Sequence, residues 1–125
     1  MYLLDTNIFL EILLGQDNKE KCKQFLISNQ NSISISDFSL HSIGVILFRN
    51  KKIDTYKSFI KDIIPKIKIL SLPSNEYQEL AKSQAKLKLD FDDLYQYCIA
   101  KHYDLTILTM DSDFKKVKDI NIKFI

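Results

Sequence analysis

The sequence has few cysteines and no long apolar run, and both absences limit what the chain can be. Its 125 residues include only Cys22 and Cys98, which lie far apart and form no CxxC or Cys/His spacing. We therefore expect neither a zinc site nor a disulfide framework. No run approaches the roughly 20 apolar residues of a membrane helix, and residues 1–5 lack the pattern of a signal peptide. These absences predict a protein of the reducing cytoplasm with no membrane partner.

Arginine is scarce as well, because Arg49 is the only one in the chain. The formal net charge is +2, and the lysines gather at residues 19–23, 51–52 and 115–118. Basic clusters can hold a phosphate backbone. However, a chain so rich in Ile, Lys and Asn also collects solvated lysines through composition alone. Charge by itself therefore does not decide between nucleic-acid binding and an ordinary surface.

What the chain does contain is the material of a folded α/β domain, with 46% hydrophobic and 27% charged residues. We find no repeat, linker or internal boundary, so one domain over residues 1–125 is expected. Strand-like segments alternate with helix-like ones, and the predicted strands are 2–4, 32–36, 67–70, 106–109 and 122–125. Strands separated by helices pair in parallel. The pattern predicts a three-layer α/β/α domain with a central parallel sheet of four to five strands.

Short polar residues, glycine and proline mark where the predicted helices begin and end. The first helix is expected to end at Gly15, and Pro65 is expected to break a later one. Phe114 and Val117 indicate a last short helix. Asn7 is expected to cap the first helix, and the residues expected to cap or begin later helices are Asp17, Asp54, Ser74 and the pair Asp92–Asp93.

Three predicted strands run directly into an aspartate, at Asp5, Asp37 and Asp111. The carboxyl ends of parallel strands share one edge of the sheet, where open α/β folds bind their ligands. The helix start at Asp92–Asp93 follows a sheet-to-helix loop and faces the same edge. We therefore expect aspartates distant in sequence to converge on one crevice.

Crowded carboxylates repel one another and raise each other's pKa, and a divalent cation relieves that repulsion. Oxygen ligands suit Mg²⁺ or Mn²⁺, which bridge to substrate phosphate and activate water for phosphodiester hydrolysis. The alternative is that Asp5, Asp37, Asp92 and Asp111 only cap helices, an interpretation that we favour for Asp37. The near-adjacent pairs, Asp92 with Asp93 and Asp111 with Asp113, exceed what capping needs, so the set as a whole favours metal binding.

Three segments resemble motifs of PIN-domain proteins, specifically the VapC-like toxins of bacterial and archaeal toxin–antitoxin pairs. Residues 2–7 are similar to the family's apolar strand followed by Asp5, Thr6 and Asn7. Residues 89–100 look like the segment in which a family aspartate opens a helix, and Asp93 is the better match. Residues 108–114 resemble the family's strand-Thr-x-Asp-x-Asp-Phe ending, at Asp111 and Asp113. The motifs occur in the family's order and span nearly the whole chain.

This resemblance implies a metal-dependent ribonuclease, the toxin of a type II toxin–antitoxin pair. It implies Asp5, Asp93 and Asp111 as catalytic residues, and the same three with Asp113 as ligands of Mg²⁺ or Mn²⁺. Asp92 would lie in the outer shell of the site. An RNA substrate, an antitoxin protein and a homodimer are the implied partners. RNA as the substrate rests mainly on the resemblance.

One position departs from the family pattern, because Ser42 stands where the family places a glutamate. No glutamate occurs between Lys21 and Asn75. Asp37 or His41 could substitute, and His41 as a ligand would favour Mn²⁺, although a local hydrogen bond is the interpretation that we favour for His41. The departure keeps a second function open, a catalytically degenerate PIN-like module that binds RNA or a protein partner without cleavage.

Two other interpretations are weaker. A phosphoacceptor receiver domain would need an aspartate at the end of the third strand, but residues 69–73 read Ile-Leu-Ser-Leu-Pro. Tyr95, Tyr97 and Tyr103 could stack on bases. At helical spacing, however, Tyr97 is expected in the core.

Overall fold

Five strands and six α-helices alternate along the computed structural model, which describes all of residues 1–125. The strands are β1 (Tyr2–Leu4), β2 (Ile33–Ser36), β3 (Lys68–Leu70), β4 (Thr106–Thr109) and β5 (Ile122–Phe124). The helices are α1 (Thr6–Leu13), α2 (Lys19–Ser28), α3 (Asp37–Arg49), α4 (Ile53–Ser58), α5 (Tyr77–Leu87) and α6 (Phe91–Tyr103). None of these helices is long and apolar enough to span a bilayer.

All four strand pairings are parallel, and the strand order is β3-β2-β1-β4-β5. The chain therefore builds outward from β1 in one direction and then, from β4 onward, in the other. The order reverses between β1 and β4, which places a topological switch point there, where open α/β sheets form their ligand crevice. The predicted parallel α/β/α fold is confirmed, with five strands in the sheet.

Alternating side chains on the strands separate the core into two layers, as the period of two along a β-strand requires. On β1, Leu3 packs with α5 and α6 whereas Leu4 packs with α1 and α3. On β4, Ile107 and Leu108 divide in the same way. All four side chains are fully buried. Helices α1 to α4 therefore cover one face of the sheet, and α5 and α6 cover the other.

Several predicted helix starts were displaced by one or two residues. Asp5, not Asn7, occupies the N-cap position of α1, while α2 follows Asn18 and α4 begins at Ile53 rather than Asp54. Helix α6 begins at Phe91 after Asp90, so Asp92 and Asp93 lie within its first turn. A row of neighbouring polar residues offers several capping candidates, and the fold decides which one lies outside the helix.

The residues expected to end helices do so by different means. Gly15 follows α1 with a φ of 65°, a left-handed conformation that glycine adopts at helix ends without strain. After α4 the chain continues as a π-helical stretch, Phe59–Ile63, before a 3₁₀ turn, Ile64–Lys66, that contains Pro65. Because proline has no backbone N–H, the run of helical hydrogen bonds ends at this turn. A 3₁₀ turn, Ser74–Glu76, precedes α5 where that helix was expected to open, and the short helix expected at Phe114 is present as a 3₁₀ turn, Ser112–Lys116.

Asp37, which was interpreted as a helix cap, lies one residue inside the helix rather than at the N-cap position. Ser36 is the N-cap of α3, because its hydroxyl accepts a hydrogen bond from the backbone N–H of Ser39 at 2.9 Å. Asp37 is the first residue of the helix, and its carboxylate accepts a hydrogen bond from the Tyr95 hydroxyl at 2.8 Å. The same oxygen also accepts a hydrogen bond from the backbone N–H of Phe38 at 2.9 Å, so Asp37 satisfies one N–H of its own helix and also connects α3 to α6.

Candidate metal centre

Six aspartates line one cleft of about 320 Å³ at the carboxyl edge of the sheet. They are Asp5, Asp90, Asp92, Asp93, Asp111 and Asp113, and no lysine, arginine or histidine lines the cleft with them. The cleft opens at the switch point between β1 and β4. It is the crevice that the sequence predicted, with Asp90 as an additional member and without Asp37.

The pairing of two strands brings the first and last aspartates together. Asp5 follows β1 directly, and its backbone N–H donates to the carbonyl of Leu108 on β4 at 3.0 Å. Asp111 comes two residues after the end of β4, and its carboxylate accepts a hydrogen bond from the N–H of Asp113 at 2.9 Å. That bond caps the 3₁₀ turn, so one oxygen of Asp111 has a capping role and the other does not.

The first turn of α6 supplies Asp92 and Asp93, and the 3₁₀ turn after β4 supplies Asp113. One carboxylate oxygen from each of Asp93, Asp111 and Asp113 lies within 4.8 Å of the others. Two oxygens bound to one Mg²⁺ are at most about 4.2 Å apart, because each lies about 2.1 Å from the ion. Small side-chain rotations would therefore let the three share a cation. An all-oxygen set of this kind fits a hard divalent ion.

Asp5 lies behind this trio and is almost completely buried, with 4% of its surface exposed. The side-chain amide of Gln96 donates to one of its carboxylate oxygens at 3.0 Å, and the Thr109 hydroxyl donates to the other at 2.7 Å. Burial raises the pKa of Asp5 above its ordinary value, with Asp111 adding to the rise, while the Gln96 and Thr109 hydrogen bonds act against it. Two donors therefore hold Asp5 in one orientation and favour its charged form.

Asp93 has the most perturbed carboxyl group of the cleft. Burial and the neighbouring charges of Asp92, Asp5, Asp111 and Asp113 raise its pKa from 3.8 to about 7. No hydrogen bond from another residue stabilises its charged form. In the metal-free protein, Asp93 therefore exchanges its proton near neutral pH, and a cation that binds there must displace that proton.

The other predicted site residues divide into two groups. Thr6, Asn7 and Ser42 line the cleft with the aspartates. Asp37 and His41 do not line it: Asp37 bonds to Tyr95, and His41 lines a separate groove beside Val45 and Phe48 on α3. Consecutive residues on a helix point about 100° apart. Ser42 therefore faces the cleft while His41, one position earlier, faces away, and neither proposed substitute occupies the glutamate position.

Two functional contacts were not predicted from the sequence. Gln96 lies one helical turn after Asp93, so its spacing alone placed it on the same face of α6. It is 1% exposed, and its carbonyl oxygen has no hydrogen-bond partner. The hydroxyl of Thr109 also joins the two strand ends, because it donates to Asp5 and accepts from the N–H of Asp111 at 2.9 Å.

The tyrosines of α6 have mainly structural positions. Tyr95 and Tyr97 are buried, as predicted for Tyr97, and their hydroxyls donate to Asp37 and Asp119. Tyr103 is 41% exposed at the end of the helix away from the cleft. None of the three lines the cleft.

The fold and the site together define a class of protein, a parallel α/β domain with an acidic cleft at the switch point of its sheet. The chain belongs to the PIN domain family, whose model matches residues 2–120. The predicted family is thereby confirmed. None of the curated proteins compared with the chain matches it.

Solved structures with the same fold include three from bacterial toxin–antitoxin systems. DNA-bound VapBC from Salmonella typhimurium is 15% identical with a TM-score of 0.81, covering 98% of this chain and 96% of that one. VapBC2 from Rickettsia felis, bound to a DNA fragment from its promoter, is 22% identical with a TM-score of 0.76, covering 98% and 97%. Mycobacterium tuberculosis VapC20, described as a toxin that cleaves the sarcin-ricin loop, is 12% identical with a TM-score of 0.78, covering 92% and 93%.

The raised pKa of Asp93 makes the metal-free protein less stable as the pH rises. Its folded-state pKa of about 7 exceeds the ordinary 3.8, so the folded state holds more protons between these values. The contribution of the protonated Asp93 carboxyl to the stability of the folded state is complete at low pH and is lost as the pH rises through 7. We expect Asp93→Asn to raise the melting temperature in EDTA by about 4 °C or more at pH 8, and by less at pH 5. Exposed Asp54→Asn is the control, and an equal shift at both pH values would contradict the prediction.

Removing the Gln96 amide should make Asp5 harder to ionise. The hydrogen bond from Gln96 lowers the pKa of Asp5 against the effect of burial. In Gln96→Leu the carboxylate loses that donor, so its pKa should rise further, which carboxyl-carbon NMR titration of the metal-free protein would measure. Gln84→Leu, on the exposed side of α5, should leave the titration of Asp5 unchanged. An unaltered or lower pKa in Gln96→Leu would show that the amide does not stabilise the charged form.

Proposed function

We propose that this protein is a metal-dependent ribonuclease that hydrolyses RNA phosphodiester bonds, and that it is the toxin of a type II toxin–antitoxin pair. The observation that carries the proposal is the convergence of Asp93, Asp111 and Asp113 to within 4.8 Å at the switch point, in front of buried Asp5. Carboxylates gathered in this way repel one another, and a divalent cation compensates that cost.

In this proposal Asp93, Asp111 and Asp113 hold Mg²⁺ or Mn²⁺, and Asp5 completes the ligand set from behind. The ion would supply an activated water and polarise the scissile phosphate. Gln96 and Thr109 keep the Asp5 carboxylate charged and in place. Asp92, on the rim of the cleft, adds negative potential without being one of the three converging carboxylates.

RNA as the substrate is supported by the family and by the described activity of one structural relative, VapC20, which cleaves the sarcin-ricin loop. Two further relatives are VapBC complexes, which supports an antitoxin as the protein partner. We propose that the toxin acts in the cytoplasm as a homodimer, and that the antitoxin blocks its cleft.

One observation favours a second candidate, a PIN-like module that binds RNA or a protein without cleaving. Ser42 lines the cleft where the family motif has a glutamate, and no other carboxylate takes its place, because Asp37 and His41 lie outside the cleft. A site with one carboxylate fewer binds a cation less tightly. The two candidates differ in catalysis and not in fold.

The nuclease proposal predicts metal-dependent cleavage that is lost with single carboxylates. We expect structured or single-stranded RNA to be cut in Mg²⁺ or Mn²⁺ and not in EDTA. Asp5→Asn and Asp93→Asn should each reduce the rate at least about 100-fold, in the range of losing one major electrostatic contribution to catalysis. Exposed Asp54→Asn should cut as wild type. If wild type and Asp5→Asn are equally active or equally inert, the proposal fails. Metal binding without cleavage would then identify the second candidate.

A glutamate at position 42 should strengthen the site. Ser42→Glu adds a carboxylate to the cleft wall, so we expect Mn²⁺ affinity by calorimetry to rise about tenfold, equivalent to about 1.4 kcal/mol, and RNA cleavage to rise with it. His41→Glu is the matched control, because it adds the same charge one residue away but faces another groove. Equal gains in both variants would mean that long-range charge, not ligation, is responsible.

A further inference from the structure

A second charged groove lies beside the metal cleft on the face of the sheet covered by α5 and α6. It measures about 470 Å³ and is lined by five lysines from three parts of the chain, Lys82 and Lys86 on α5, Lys101 on α6, and Lys116 and Lys118 after β4. Its only acidic lining residues are Glu79 and Asp119. A chain with a net charge of +2 therefore concentrates an excess of three positive charges on this groove.

Both acidic residues are already engaged by lysines. Asp119 lies 3.2 Å from the ammonium of Lys101, and Glu79 lies 3.5 Å from that of Lys82. Lys86, Lys116 and Lys118 have no carboxylate within salt-bridge distance. The fold has therefore brought three unneutralised ammonium groups together without a protein counter-charge, which leaves them available to an anion.

The groove and the cleft share two walls. The 3₁₀ turn Ser112–Lys116 presents Asp113 to the cleft and Lys116 to the groove. The end of α5 and the loop after it do the same, with Leu87 in the groove and Asp90 in the cleft. A hydrogen bond from the Lys116 ammonium to the carbonyl of Lys88, at 3.4 Å, ties these two walls together. The groove and the cleft therefore adjoin along these two segments.

The two surfaces have opposite charge. The cleft has six carboxylates and no cationic side chain, so it repels a phosphate chain everywhere except at a bound metal. Binding of a polyanion must therefore come from neighbouring surface, and phosphate contacts by lysine are what position a nucleic acid on a protein. The lysine clusters at 19–23 and 51–52 lie on or beside α2 and α3, and none of these lysines lines the cleft or the groove.

We propose that this lysine groove holds the phosphate backbone of the RNA next to the segment that enters the cleft. The inference rests on the proposed ribonuclease function and adds the surface that binds its substrate. Lys86, Lys116 and Lys118 contact phosphates, while Lys82 and Lys101 remain paired with their carboxylates. The groove binds without reading sequence, since the contacts are ionic.

The test is RNA binding by the full chain in EDTA, which prevents cleavage. A fluorescent single-stranded RNA is titrated by anisotropy at several KCl concentrations. For the triple variant Lys86→Gln, Lys116→Gln and Lys118→Gln we expect at least about a tenfold weaker Kd at 100 mM KCl. The slope of log affinity against log salt should fall by about 2 in magnitude. Each single-strand phosphate contact contributes about 0.7 to that slope, and the variant loses three lysines. Lys21→Gln, Lys52→Gln and Lys57→Gln, with equal loss of exposed charge, should leave both values unchanged.

The outcomes separate this inference from the function on which it rests. Equal binding by wild type and the groove variant, or equal weakening in both triple variants, overturns the groove. Tighter binding of polyglutamate than of RNA at matched charge also overturns it, since the groove would then suit an acidic protein segment. If Mg²⁺-dependent cleavage occurs, the groove variant should show a raised KM with kcat within twofold of wild type. If wild type binds RNA through the groove but does not cut, the ribonuclease proposal fails and the groove stands.

Discussion

The parallel pairing of β1 with β4 is the constraint on which the rest of the molecule depends. It places Asp5 beside the end of β4, as the hydrogen bond from its N–H to Leu108 shows, and it creates the switch point at which the cleft opens. Fully buried Leu4 and Leu108 pack on one face of this pair, and Leu3 and Ile107 on the other. Core packing on both faces therefore supports a set of mutually repelling carboxylates at the strand ends.

The carboxylates of the cleft differ in the hydrogen bonds that they accept. Asp5 is buried but receives hydrogen bonds from Gln96 and Thr109, which favour its charged form. Asp93 has no such donor, and its pKa rises to about 7. Asp111 uses one oxygen to cap the 3₁₀ turn. Asp5 and Asp93 therefore differ in how strongly hydrogen bonds offset burial, although both belong to one cleft. The unpaired lysines of the adjoining groove provide the opposite charge that a phosphate chain requires.

Much of this arrangement was predictable because it follows from local periodicity and strand order. The strand 106–109 was predicted at its observed bounds, and the sheet, its parallel pairing and the convergence of Asp5, Asp93 and Asp111 followed from alternating strands and helices. The exact helix starts were not predictable from adjacent polar residues. Ser36 caps α3 instead of Asp37 because its hydroxyl reaches the N–H of Ser39, a contact set by the backbone path.

The sequence by itself determined the family, the fold class and the aspartates at the strand ends, because spacing and hydrophobic alternation encode which segments pair and which edge they share. Only the tertiary structure decided that Ser42 faces the cleft while His41 faces another groove, that Gln96 supports Asp5, and that scattered lysines form one groove. Each of these depends on how a helix is rotated and packed against the sheet. Packing of side chains that are distant in sequence sets that rotation.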